Sequence, residues 1–151
     1  MKIVILHNIR SHYNVGAIFR TCDGAGVAKV YLSGFTPTPT DRFGRAVPEI
    51  HKTALGAETI IPWEASDDLP ALILKLQAEG IVVVAVEQSP IAIKLPDYQI
   101  KTKTGFIFGS ETEGITADIL DLVDEVLELP MLGEKESLNV SVTAGIVLYH
   151  N

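Results

Sequence analysis

The segment from Leu129 to Val142 (LPMLGEKESLNVSV) sets Ser137, Asn139 and Ser141 two residues apart, with Leu138, Val140 and Val142 beside them, at the start of an apolar run. A helix start needs a polar cap to satisfy its orphan backbone N–H groups, and one residue is enough. Three alternating polar residues exceed that need. Hydroxyls, loop amides and a side-chain amide that donates and accepts at once suit a site that orients a polar ligand. In a second segment, Gly105 to Ile115 (GFIFGSETEGI), Glu111 stands just past an apolar strand, and Gly109 lets backbone come close to a ligand. In a third, Asn8 to Gly26 (NIRSHYNVGAIFRTCDGAG), Asn14 and Arg20 follow the strand-like Ile3–Leu6. Arg20 lies off the apolar stripe of Val15, Ile18, Phe19 and Cys22.

Other chemistries lack their residues. No Gly-x-Gly-x-x-Gly fingerprint follows a strand and no Walker loop occurs, so neither a Rossmann nucleotide site nor a P-loop is supported. His7, His12, His51 and His150 have neither HExxH nor paired spacing, and Cys22 is the single cysteine; no metal site is expected.

Elements that alternate in type must position these residues. Lys2–Leu6, Lys29–Leu32, Thr59–Ile61, Ile81–Val86, Gly105–Phe108 and Glu125–Leu129 read as strands. A helix capped by Asn14 follows the first strand and ends at Gly24 and Gly26. Further helices are expected over Glu49–Leu55, Leu69–Glu79 with Ser66 as cap, Thr116–Val123 and Leu138–Tyr149, with Glu113 near a helix N-terminus beside its macrodipole. Prolines and breakers make Phe35–Pro48 a long loop, of the kind that is usually functional. The pattern predicts one α/β domain over residues 1–151 with a mostly parallel sheet and flanking helices.

Composition bounds the setting. A hydrophobic content of 47% argues for an ordered globule. One cysteine suggests a reducing compartment, and neither a signal peptide nor a membrane-spanning run is read, so a cytoplasmic location is expected. The net charge of −7 is the opposite of the usual nucleic-acid footprint. Basic residues do cluster locally, as Arg42, Arg45, His51 and Lys52 and as Lys94, Lys101 and Lys103. Local potential can override net charge in an encounter.

In this order and at this spacing, the three segments resemble the three motifs of the SpoU/TrmH-type branch of the SPOUT RNA methyltransferases, and they bracket almost the whole chain. The resemblance implies an α/β-knot domain with a deep trefoil knot in its C-terminal part, although general topology rules disfavour knots. It implies a homodimer that transfers a methyl group from S-adenosylmethionine, without a metal, to a ribose 2′-hydroxyl of tRNA or rRNA. The methyl donor is then expected among Val86, Glu87, Phe108, Gly109, Leu129, Met131, Ser137 and Leu138. Leu129, Met131 and Leu138 offer apolar and polarisable surface to an adenine and a thioether-like chain.

The resemblance carries catalytic roles onto Arg20, Asn14, Glu111, Ser137 and Asn139. Arginine is often cast as the family's base, but a guanidinium stays protonated at neutral pH. Arg20 could act as that base, were its site to favour the neutral form heavily, or could instead grip the neighbouring phosphate and stabilise a developing alkoxide. Glu111 could anchor loops or orient Asn14. The chain reads as a near-minimal catalytic core without an appended RNA-recruiting domain, so an auxiliary RNA-recruiting protein is one expectation. Two rival readings are a catalytically silent RNA- or S-adenosylmethionine-binding module and a base-methylating SPOUT enzyme.

Overall fold

A computed structural model describes all of residues 1–151. Seven parallel strands form one sheet in the order β3-β2-β1-β6-β4-β7-β5. They are β1 (Lys2–His7), β2 (Lys29–Ser33), β3 (Trp63–Ser66), β4 (Val82–Val86), β5 (Ile93–Lys94), β6 (Thr104–Phe108) and β7 (Glu125–Glu128). Helices α1 (His12–Gly24), α2 (Pro48–Ala54), α3 (Ala57–Ile60), α4 (Leu69–Ala78), α5 (Ala117–Leu120) and α6 (Val140–Tyr149) connect and close them. The expected α/β architecture is present.

Side-chain alternation along the strands builds two cores. Val4, Leu6, Val30, Leu32, Val84, Phe106 and Phe108 face one layer, where they meet Val15, Ile18, Phe19 and Cys22 of α1 and Val140, Ala144, Val147 and Leu148 of α6. Ile3, Ile5, Tyr31, Val83, Ala85 and Ile107 face the other, against Leu69, Leu72, Ile73 and Leu76 of α4 and Ile119 of α5. Burying one such side chain contributes about 1.5–3 kcal/mol. Because the strands are parallel, the carboxyl ends of β1, β4, β6 and β7 share one edge. The order reverses beside β1, which places a ligand crevice at that edge. No helix is long and apolar enough to cross a membrane.

Several expected boundaries shift for local reasons. Ser11, not Asn14, caps α1: its Oγ accepts from Asn14 N at 3.1 Å, which places Asn14 inside the first turn. Asp68 rather than Ser66 caps α4, accepting from Ala71 N at 3.0 Å, while Ser66 closes β3. Thr59–Ile61 is not a strand. Gly56, at φ 92°, starts a fresh helical turn there, and the partner of β2 begins only at Trp63. Phe35–Pro48 is more ordered than a plain loop: Asp41 Oδ1 accepts from Phe43 N at 2.8 Å and from Arg45 N at 3.0 Å, and Thr40 bridges Ala46. The two-residue β5 was not legible from periodicity.

Candidate functional site

Three loops leave the carboxyl edge side by side and enclose a cleft of about 420 Å³. Val86, Glu87 and Gln88 come from the end of β4, Phe108 to Ile115 from the end of β6, and Glu128 to Leu138 from the segment after β7. All eight residues expected around the methyl donor line it: Val86, Glu87, Phe108, Gly109, Leu129, Met131, Ser137 and Leu138.

Hydrogen bonds tie the loops together. Glu87 Oε2 accepts from Ile115 N at 2.9 Å, and Glu87 Oε1 accepts from Gln88 N at 2.9 Å. Gln88 Nε2 donates to the carbonyl of Glu136 at 2.5 Å, joining the first loop to the third. Gly109 has a different task from the one expected. A Cβ there would lie 2.7 Å from Ile115 Cγ1 and 2.9 Å from the carbonyl carbon of Gly114, so the close approach it permits is between two stretches of protein backbone. Gly114 sits at φ 64°, where an added Cβ would meet the Glu87 carboxylate at 2.4 Å.

The polar residues divide among three places. Asn14 Nδ2 donates to Glu111 Oε1 at 3.0 Å, joining positions 97 residues apart, and Glu111 lines the cleft with Ser137. Asn139 does not line it. Its Oδ1 accepts from Ser141 N at 2.9 Å and Ser141 Oγ at 2.6 Å, so its acceptor is used as the cap of α6. Arg20 lies elsewhere in this chain, exposed in a shallow depression with Ala17, Thr21, Gly24, Lys52, Thr53 and Tyr149. Glu113 belongs to the cleft-lining loop, four residues before α5, and not to a helix N-terminus.

The sequence reading missed Gln88, Thr112, Glu128 and Thr143, which also line the cleft, as does Glu136 within the expected stretch Leu129–Leu138. Gln88 could have been found as the first polar side chains beyond β4 are read together with Glu87. Thr143 stands one turn after the Asn139 cap, on the side of α6 that meets the loops. Glu87, Glu111, Glu113, Glu128 and Glu136 all line the cleft, which has no lysine, arginine or histidine in its wall. That lining opposes a phosphate and favours a cation. No group of three or more His, Cys, Asp or Glu side chains could hold a metal ion.

A model of the SpoU rRNA Methylase family matches residues 1–149. The chain belongs to that family. Among family relatives, the tRNA (guanosine(18)-2′-O)-methyltransferase of Thermus thermophilus is 32% identical over 97% of this chain and 71% of its own length. The crystal structure of the TrmH/SpoU tRNA modifying enzyme of Aquifex aeolicus superposes with a TM-score of 0.85 at 27% identity, over 99% of this chain and 72% of the other. An AdoMet-bound rRNA methyltransferase from Sinorhizobium meliloti superposes at 0.84 with 25% identity, over 99% of this chain and 54% of the other. Against some curated relatives the chain spans only about half their length.

Proposed function

We propose that this chain is an S-adenosylmethionine-dependent RNA methyltransferase that methylates a ribose 2′-hydroxyl of tRNA or rRNA. The observation that carries the reading is the cleft: the second and third family motifs line it beside the end of β4, the first joins it through the Asn14–Glu111 hydrogen bond, and its charge fits a cation. Its volume lies within the usual range of roughly 300–1,000 Å³ for small-molecule sites. Val86, Phe108, Leu129, Met131 and Leu138 offer apolar surface to a flat ligand, and the five glutamates offer partners to a positive centre. S-adenosylmethionine, when bound, supplies a methyl group activated on a cationic sulfonium, and an AdoMet-bound relative of the same fold supports that choice. The cytoplasm is the compartment in which tRNA and rRNA would meet it.

The chain's own groups would then position the acceptor. Asn14, held at 3.0 Å by Glu111 of the cleft wall, presents a fixed amide. Ser137 adds a hydroxyl in the wall. Asn139 acts as a positioning residue, setting the start of α6 on which Val140 and Thr143 face the cleft. Arg20 would grip the acceptor phosphate and stabilise the oxygen as its proton passes to water. In-line positioning of that oxygen against the methyl group of the bound sulfonium, which leaves as the neutral thioether, would account for much of the rate.

Arg20 stands apart from the cleft of its own chain, so a complete site requires a second copy. A homodimer has a fitting surface. Val142, Ile146 and Tyr149 form an exposed apolar stripe along α6, beside the Arg20 face of α1. The C-terminal trefoil knot is part of this proposal, supported by β6 lying between β1 and β4 and by the return of α6 to α1. An RNA-recruiting protein would offset the acidity of this chain, whose net charge is −7.

The test measures methyl transfer from labelled S-adenosylmethionine to RNA beside calorimetric binding of S-adenosylmethionine alone. Transfer supports the enzyme; binding without transfer to tRNA and rRNA leaves a silent binding module. Light scattering should give about twice the 16.3 kDa chain mass, and an active monomer would refute the dimer.

A further inference from the structure

The chain has four arginines, Arg10, Arg20, Arg42 and Arg45, and five phenylalanines. Phe19, Phe106 and Phe108 are buried; Phe35 and Phe43 are 53% and 67% exposed. Each exposed ring carries arginine. The Arg10 guanidinium lies 5.5 Å from the Phe35 centroid, and those of Arg42 and Arg45 lie 4.8 and 4.9 Å from the Phe43 centroid.

These rings are held out by construction. Phe35 N donates to Asn8 Oδ1 at 3.1 Å, with Asn8 in the left-handed region at φ 55°. Gly34 fits there because a Cβ would lie 1.9 Å from that same oxygen. Phe43 sits in a turn closed on Asp41, whose Oδ2 also accepts from Arg45 Nε at 2.9 Å. A turn needs no aromatic residue at its tip, and water makes an exposed ring unfavourable. Phe35 and Arg10 follow β2 and β1, at the sheet edge that carries the cleft.

We propose that Phe35 and Phe43, with Arg10, Arg42 and Arg45, form a stacking platform for unpaired nucleotides of the RNA that flank the methylated one. The platform rests on the reading of RNA as substrate. Aromatic rings take the faces of unstacked bases without regard to sequence, and guanidinium groups take the phosphates between them. Duplex RNA offers no free base faces. Charge points the same way: five glutamates in the cleft repel phosphates, so an acidic protein must hold RNA elsewhere, and three of its four arginines are here.

The test uses the full chain, a fluorescent unstructured oligoribonucleotide of about a dozen nucleotides, in the range of known single-strand sites, and anisotropy. Phe43→Leu and Phe35→Leu keep an apolar side chain and remove the ring. Each should weaken binding on the order of tenfold, while Phe43→Tyr binds like the parent and S-adenosylmethionine affinity stays unchanged. Arg42→Gln should reduce the salt dependence by about one phosphate contact. Parent-like RNA affinity in both leucine variants would overturn the platform, as would equal competition by a duplex of the same sequence. If the parent binds no single strand, the surface is not an RNA platform, and a protein partner becomes its occupant. Loss of RNA binding in the leucine variants from a parent that transfers no methyl group would keep the platform and refute the methyltransferase. Methyl transfer with unchanged KM in those variants would do the reverse.

Discussion

The Glu87 carboxylate reaches from the end of β4 to the backbone N–H of Ile115, with Oε2 2.9 Å from that nitrogen. One side chain thereby fixes the loop after β6 against the loop after β4, and its other oxygen holds Gln88 N. Both carboxylate oxygens are committed to the cleft's shape. In Glu87→Gln one of the two N–H groups would face an amide NH2 instead of an acceptor. A lost charge-assisted hydrogen bond of this kind costs about 1.5–3 kcal/mol. We predict S-adenosylmethionine affinity lower by on the order of tenfold, and lower still in Glu87→Ala, by calorimetry. Parent-like affinity in Glu87→Ala would show that the loops hold without it.

Gly109 gives a steric version of the same test. A Cβ 2.7 Å from Ile115 and 2.9 Å from the Gly114 backbone must displace the loop, and backbone does not give way cheaply. Gly109→Ala should weaken S-adenosylmethionine binding and Gly109→Val abolish it, while circular dichroism stays that of a folded protein. Unchanged affinity in Gly109→Val would move the binding site away from this loop.

Arg20 separates binding from chemistry. Because it stands outside the cleft of its own chain, Arg20→Ala should leave S-adenosylmethionine affinity intact. Methyl transfer should fall by on the order of a hundredfold or more, the scale of losing one transition-state donor. Arg20→Lys should rescue poorly, since an ammonium cannot reproduce the planar fork. Near-parental turnover in Arg20→Ala would remove Arg20 from the catalytic site.

The residues of the cleft were named by the family resemblance, and the strands, readable as β-branched or aromatic runs, put those residues at strand ends. Val86, Phe108 and Leu129 could hardly lie elsewhere once β4, β6 and β7 were placed. Arg20 was harder. A charged residue on the polar side of a helix looks the same whether water or another subunit covers it. Asn139 was ambiguous because an amide two residues before Ser141 serves equally as a cap and as a ligand contact. Its oxygen turned inward to Ser141. The Phe35–Arg10 and Phe43–Arg42 pairings depend on a strand order and an Asx turn that periodicity does not report.

His7 links the platform to pH. Asn8 Oδ1 is fixed by Phe35 N, so Asn8 Nδ2 faces His7 Nε2, at 3.3 Å, as a donor. Nε2 is then the acceptor, and Nδ1 donates to Ser33 Oγ at 3.0 Å. The neutral ring is satisfied, and protonation would set two donors against each other. Burial lowers the His7 pKa below its ordinary 6.5, and the Asp118 carboxylate offsets this in part. The unfolded chain therefore binds the proton more readily than the folded one, so this contribution to stability is full above about pH 6.5 and is lost as pH falls through the lower folded value. Denaturant midpoints from pH 7.5 to 5 should fall less steeply in His7→Gln than in the parent. Equal slopes would show that His7 is not involved.

The central claim is the atom that receives the methyl group. RNA methylated by this protein, digested to nucleosides and separated by mass spectrometry, should yield a ribose 2′-O-methylated nucleoside whose formation depends on S-adenosylmethionine and is lost in Arg20→Ala. A methyl group found on the base would contradict the account, as would RNA that carries none although the protein binds S-adenosylmethionine.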